Sequence, residues 1–511
     1  MSTPPSTENY GSLPIAPLGR GVESDLMAGT RPIDHLLRRA GFGASPADLA
    51  VYNGLSFTQA VDRLVDYERQ PDDVDGKVGT SGHLGVTTRG GAYAPNTVIN
   101  DSRQRWLFRM VHTARPLQEK MALFWHNHFA TAYSKVAGFA GATQGARLMA
   151  GLPSEVPGPP GQYELFRQRA LGSFRDLLLA VARDPAMVVW LDGRTNTRTR
   201  PQENFGREIM ELFTFGVGNY TEADVYAAAR VFTGWNIRTN GLLGQVATGY
   251  YEYVYNASQH DLAAKAFTFP IYANGDRTIP ARTAAAGEQD GIDFINALAT
   301  HPATARRLAR KLWAFFVSEV FAPDAQFVEN VASIYLLNNT DMRATVRYIL
   351  RSPWFQSPDA YYAHDSWPVE YVVKSVKEVG WNGYSIDTAR AALPGMGQTL
   401  FEPPDVAGWA LGTDWFGTGS MLARMNFAAG LAGNQRFVLG RDAQPHRATP
   451  EAVLDYFLER YTSVPFDSSQ RAELLNYLRA GGAWTGSDTQ LNVKASGLTR
   501  LVIGSGEYQL I

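Results

Sequence analysis

The residues best placed to do chemistry lie in one stretch, QENFGREIMELFTFGVGNYTEADVYAAARVFTGW, residues 202–235. At about 100° per residue, Asn204, Glu208 and Glu211 fall on one stripe with Arg207 beside them, while Phe205, Ile209, Met210, Leu212 and Phe213 cover the opposite half. Two carboxylates one turn apart on a shared side can ligate a metal or act as a general acid and base. The same stripe also suits a solvated face, because Glu203–Arg207 and Arg207–Glu211 are both i,i+4 pairs.

A second set sits in PLQEKMALFWHNHFAT, residues 116–131. Leu117, Met121, Phe124 and His128 repeat at offsets of four, three and four and form a core-facing stripe. Glu119 and His126 share a different stripe with small Ala122 between them, so both could reach one point. His126 and His128 stand about 200° apart on a regular helix, and only a helix end near Trp125 would let them act as paired ligands. On that phase His128 reads as a satisfied core histidine. Further along, His260 and Asp261 sit on a loop where a His-Asp dipeptide is often plain turn chemistry, with Lys265 close by as a substrate contact or a solvated charge. In residues 395–431, Pro404, Asp405, Trp409 and Trp415 could line a pocket wall suited to sugar or peptide contacts, or the two indoles could simply plug the loop onto the core.

The elements that must hold these groups are mostly helices. Gly216 and Gly218 end the Glu208 helix, and Thr221 with Asp224 makes a capping-box start for a second helix that buries Val225, Ala228, Ala229 and Phe232. Ser45–Pro46 with Asp48 and Pro116 mark two more starts. Residues 70–97 lack apolar periodicity and read as an exposed or mobile loop insertion. Residues 170–191 read as a helix interrupted at Asp184–Pro185, and residues 290–316 as helical with a break at His301–Pro302. Residues 250–255 and 264–269 are aromatic, β-prone runs that predict a hairpin within a β-rich insertion near 245–280. The predicted fold class is mainly α: a disordered tail over 1–30, then one large helical body over 31–511 with a small β-hairpin insertion.

Composition narrows the classes. Lys plus Arg number 47 against 49 Asp plus Glu, with no basic block, which argues against a nucleic-acid binder. There is no cysteine, so any metal would need His, Asp or Glu ligands. No run approaches the roughly 20 apolar residues of a membrane span. The first thirty residues carry no basic start and no apolar segment, from which a cytoplasmic protein is expected. No P-loop, dinucleotide fingerprint, nucleophile elbow or H-E-x-x-H helix is present.

HLLRRAGFG, the WHNHF segment, the 204–235 stretch, HDLAAK, RSPWF, PVEYVV, MGQTLFEPPDVAGW and DWFGTGSMLARMNFA occur in an order that resembles the bacterial domain of unknown function 1800 family. The likeness runs from about residue 32 to GEYQL. It implies that Glu119, His126, His128, Asn204, Arg207, Glu208, Glu211, His260, Asp261 and Lys265 share a polar cleft. It also implies a companion protein with an alkaline-phosphatase-like fold and, as an alternative compartment, an exported or envelope-associated one.

Residues and resemblance together lead to an expected metal-dependent enzyme, a hydrolase first and a non-haem iron oxidoreductase second. His126, His128, Glu208, Glu211 and His260 would hold Zn, Mn or Fe; Glu208, Glu211, Arg207 and Asp261 would act on the substrate. Lys265, Asp405, Trp409 and Trp415 would bind it, whether polymer or small molecule. The rival from another class is a non-catalytic binding or assembly protein, with the Trp- and Gly-rich loop holding polymer or partner and the Glu/Arg/His set forming a buried structural network.

Overall fold

Prolines and short polar side chains decide where the helices begin. Pro32, Pro46, Pro116, Pro185, Pro302, Pro368 and Pro450 each take a first-turn position, where the amide proton that proline lacks would have no helical acceptor. Ser45 with Asp48 and Thr221 with Asp224 close the two expected capping boxes. The computed structural model describes residues 31–88, 91–245 and 248–511, and 58% of these described residues are helical. Among the described residues are 23 α-helices and two two-stranded antiparallel sheets, so the protein is mainly α with a small hairpin. The tail expected over residues 1–30 lies outside the described residues. No helix among the described residues is long and apolar enough to cross a membrane.

The strands pair differently from the sequence reading. β1 (Trp235–Asn240) runs antiparallel to β2 (Tyr250–Tyr255), with Trp235 opposite Tyr255 and Asn240 opposite Tyr250. β3 (Lys265–Ala266) pairs with β4 (Thr278–Ile279). Residues 250–255 and 264–269 therefore do not form one hairpin. The reason lies at Gly234, whose φ of +82° turns the chain at the end of the Glu222–Val231 helix so that Trp235 opens a strand. After β2, the 3-10 turn Ala257–Gln259 carries the chain into the core instead of back along the strand.

One hydrophobic cluster runs from Leu36 to Tyr508. At its centre lie two helices enclosed on nearly every side: twelve of the thirteen residues of Pro116–His128 are buried, and all twelve of Pro368–Val379. The 70–97 segment, expected to be exposed or mobile, is tied to this body. Val74 and Leu84 are buried, the Arg109 Nε donates to Asp75 at 2.8 Å, and Gly85 bridges to Ser385.

The break at Asp184–Pro185 separates helices Phe174–Ala182 and Pro185–Trp190, and buried Asp184 caps the second by accepting from the Met187 amide at 3.1 Å and from Gln162 at 2.7 Å. Burial pushes its carboxyl up to about 7. The folded protein then keeps a proton that the unfolded chain releases above about pH 4, so this group's contribution to stability falls as pH rises from there to about 7. Urea unfolding of Asp184→Asn, which keeps a cap oxygen, is expected to show a flatter stability profile across that window than the unsubstituted protein. An unchanged slope would count against the raised carboxyl.

Candidate functional site

The two carboxylates on the Glu203–Glu211 helix do share a side. Burial, and then the neighbouring Glu211, push the Glu208 carboxyl above its ordinary range. Glu211 accepts from the Tyr220 hydroxyl. Arg207 keeps the Glu203 pair at 3.3 Å, but its other partner is Glu222 of the next helix, through two bonds of 2.7 Å, and not Glu211. The expected Arg207–Glu211 pair is thus replaced, because the antiparallel helix brings a carboxylate within reach of the fork of the guanidinium.

The helix of the WHNHF segment runs through His128 without breaking at Trp125, so the two histidines face apart as helical phase requires. His126 Nε2 accepts from the Phe401 amide at 3.1 Å, and the ring lies edge-on among Trp106, Phe401 and Trp409. Burial drops its pKa to about 3, which keeps the ring neutral with its proton on Nδ1. His128 is likewise buried, with Nε2 at 3.0 Å from the Phe213 carbonyl oxygen and Nδ1 at 3.0 Å from the Lys311 amine. In this arrangement neither imidazole presents a free lone pair. Glu119, expected near His126, accepts instead from Tyr163 and Arg167, both at 2.6 Å.

The H-D loop forms a second, separate network. His260 Nδ1 lies 2.8 Å from the Thr233 carbonyl and Nε2 3.2 Å from Asp290, while Gly287 leaves room for the ring, since a Cβ there would stand 2.2 Å from it. Lys265 donates to Asp290 at 2.6 Å, and Arg282 reaches the other oxygen at 3.1 Å. Asp261 accepts two bonds from Arg230, at 2.9 and 3.0 Å, and that contact holds its carboxyl below the usual range. Among the described residues no group of three or more His, Asp or Glu side chains is arranged to hold a metal ion.

The Trp- and Gly-rich loop does line a cavity, of about 420 Å³, walled by Pro394, Met396, Trp409, Asp414, Trp415 and Ser420. Asp405 is not part of it. That side chain is exposed and closes a turn on the Ala407 amide at 2.8 Å. The acid on the wall is Asp414, nine residues later. Trp409 is fixed by Asn127, whose Oδ1 accepts from its amide at 2.7 Å. Gly408 permits this approach: its φ is +91°, and a Cβ would stand 2.3 Å from Asn127 Oδ1.

A family model described as Protein of unknown function (DUF1800) matches residues 35–510. The chain belongs to the DUF1800 family. No curated protein and no solved structure matches it. In this DUF1800 protein Glu208 and Glu211 share one side of their helix, whereas His126, His128 and His260 each answer to partners of their own. It missed Asp290, Arg282 and Arg230, which close the H-D loop, and Lys311, which faces His128. It also missed a buried run in which Lys120 pairs with Glu370, Glu370 accepts from His364 at 3.0 Å, and His364 stands 3.2 Å from Glu319. The available signal was charge set into otherwise apolar helix text, Lys120 in EKMALFW and Glu370 in PVEYVV.

Asp290 is fully buried and is the one carboxylate in direct contact with the Lys265 amine at less than 3 Å. Asp290→Asn is expected to lower unfolding free energy by about 3 to 5 kcal/mol in urea titration, since it strands a buried ammonium. Pairing it with Lys265→Met should recover part of that loss. An unshifted midpoint in the single variant would remove the network from the account of stability.

Proposed function

We propose that this protein is a non-catalytic binding or assembly protein, and that the cavity between Trp409 and Trp415 takes a segment of a saccharide polymer. What supports this reading is the layer beneath that cavity. The Trp415 ring lies 6.3 Å from Trp367, Gln398 Oε1 accepts from the Val369 amide at 2.9 Å, and Arg424 donates to the Ser366 carbonyl at 2.9 Å. Within this connected group Trp415 Nε1, Trp367 Nε1, Gln398 Nε2, Arg424 Nε and Ser366 Oγ are buried and have no hydrogen-bond partner among the described residues. Four of the five can only donate, and native proteins leave few such groups unsatisfied.

Arg424 adds to this. Its guanidinium is fully buried, meets Tyr371 and Phe416 rings at 5.0 and 5.1 Å, and has no carboxylate in salt-bridge contact among the described residues; burial pulls it down to about 10. A chain of sugar rings offers flat C–H faces for the indoles of Trp409 and Trp415, which line the cavity above this layer. Asp414, exposed on the wall, supplies an acceptor for sugar hydroxyls. A volume of about 420 Å³ falls in the roughly 300–1,000 Å³ range of ligand sites. The Glu/Arg/His groups then serve as framework, and Asn127 carries the framework to the loop.

Titration of the full-length protein with a panel of soluble oligosaccharides, followed by calorimetry and tryptophan fluorescence, tests this. At least one is expected to bind, with affinity falling about tenfold or more in Trp415→Ala and less in Asp414→Ala, whose exposed side chain leaves the fold intact. The glycan should be recovered at full length and the protein should carry no stoichiometric metal. Shortened glycan, or stoichiometric Zn, Mn or Fe that is lost in Glu208→Ala, would reinstate the hydrolase. Binding that is indifferent to both cavity variants, or absent across the panel, would overturn the proposal.

A further inference from the structure

A second cavity, of about 350 Å³, shares no wall residue with the one between the tryptophans. It lies where the 70–97 segment and the turn after Gly151 meet the Ile99–His112 helix, and the charged residues described on its wall are Asp75, Arg105 and Glu155. Glu155 is exposed, so the cavity is open to solvent at that edge. Arg105 and Arg109 stand one turn apart on the helix, and each holds one of the two acids.

The hydrogen bonds of this wall are spent unevenly. Glu155 Oε2 accepts from Asn96 Nδ2 and from Arg105 Nη2, both at 2.6 Å, while Oε1 accepts from no described residue. Asp75 accepts from Arg109 on both oxygens, and each oxygen keeps a further lone pair. Arg105 is only 6% exposed, yet it reaches the cavity wall, and its Nε donates to no described residue. The arrangement is also held in place, because Asn96 Oδ1 accepts from the Leu152 amide at 2.9 Å and so pins the turn that carries Glu155. Val78, Pro95 and Val156 make an apolar remainder of the wall.

With Arg109 behind Asp75, two positive and two negative charges surround this space. A ligand of one sign meets a like charge there, whereas a dipolar one finds a partner for each end. We propose that the cavity binds a free α-amino acid with an apolar side chain. The ammonium donates to Glu155 Oε1 and to Asp75, the carboxylate accepts from Arg105 Nε, and the side chain rests on Val78, Pro95 and Val156. A volume of about 350 Å³ is at the small end of the roughly 300–1,000 Å³ range of ligand sites, which suits a single residue. No bond is made or broken, and the site is independent of the saccharide reading.

The full-length protein is titrated by calorimetry with L-valine, L-leucine and L-phenylalanine. The tightest binder is then compared with its N-acetyl derivative, which lacks the ammonium, and its amide, which lacks the carboxylate. At least one amino acid is expected to bind, with each derivative about tenfold or more weaker. Val156→Trp, which fills the cavity, should abolish binding. Glu155→Gln lies on an exposed turn, keeps an oxygen for Asn96 and Arg105, and should weaken binding about tenfold. Silence with all three amino acids, a derivative that binds as tightly as its parent, or an affinity that Glu155→Gln leaves unchanged would overturn the proposal.

Discussion

Lys120 and Glu370 meet in the interior, each on a helix with almost no face toward water. Burial alone would drive the ammonium toward its neutral form, and the carboxylate opposes that. The pair constrains everything near it. Glu370 also accepts from the Trp367 amide and from His364, whose other nitrogen faces Glu319, pushed up to about 8 by burial and by the acids around it. Arg38 closes on Glu378 at 2.9 Å, and Lys374 donates to the Tyr508 carbonyl at 2.7 Å. The first described helix, the central pair and the last turns of the chain are held in one register by groups that water cannot reach.

That constraint explains how a chain with so many candidate ligands uses them. His126 fixes the backbone at Phe401, His128 fixes the end of the Glu203–Glu211 helix through Phe213, and His260 fixes Thr233. Each imidazole joins elements far apart in sequence and stays neutral where its pKa is displaced. Asn127, the single residue of its helix that is not buried, joins His126 in passing the position of the helix to the tryptophan loop. Hydrogen-bonding capacity is left unspent under Trp415, where buried donors lack partners among the described residues.

Much of this was legible from residue order. Helical phase alone placed Leu117, Met121, Phe124 and His128 together in the core and turned His126 away from His128, and cap chemistry gave the starts at Ser45, Pro116 and Thr221. The pairing of β2 was not legible, because its β-prone sequence fits any neighbour and only the turn at Gly234 selects β1. Nor were the ion-pair partners: a charge such as Glu370 inside PVEYVV signals that a partner exists without naming it, and Asp290 and Glu370 find theirs 25 and 250 residues away. Asp405 looked like a wall residue by composition; its own backbone claimed it first, and Asp414 took the wall.

The distances along the chain between these partners have a bearing on how the protein is made. A ribosome releases Arg38 and Lys120 long before Glu378 and Glu370 exist, with separations of 340 and 250 residues. Until then the earlier half has cations destined for an oily interior and nothing to neutralise them there, so its central helix cannot settle. Assembly must wait for nearly the whole polypeptide, and the nascent chain spends that interval with its apolar stripes uncovered, where holding chaperones would find it.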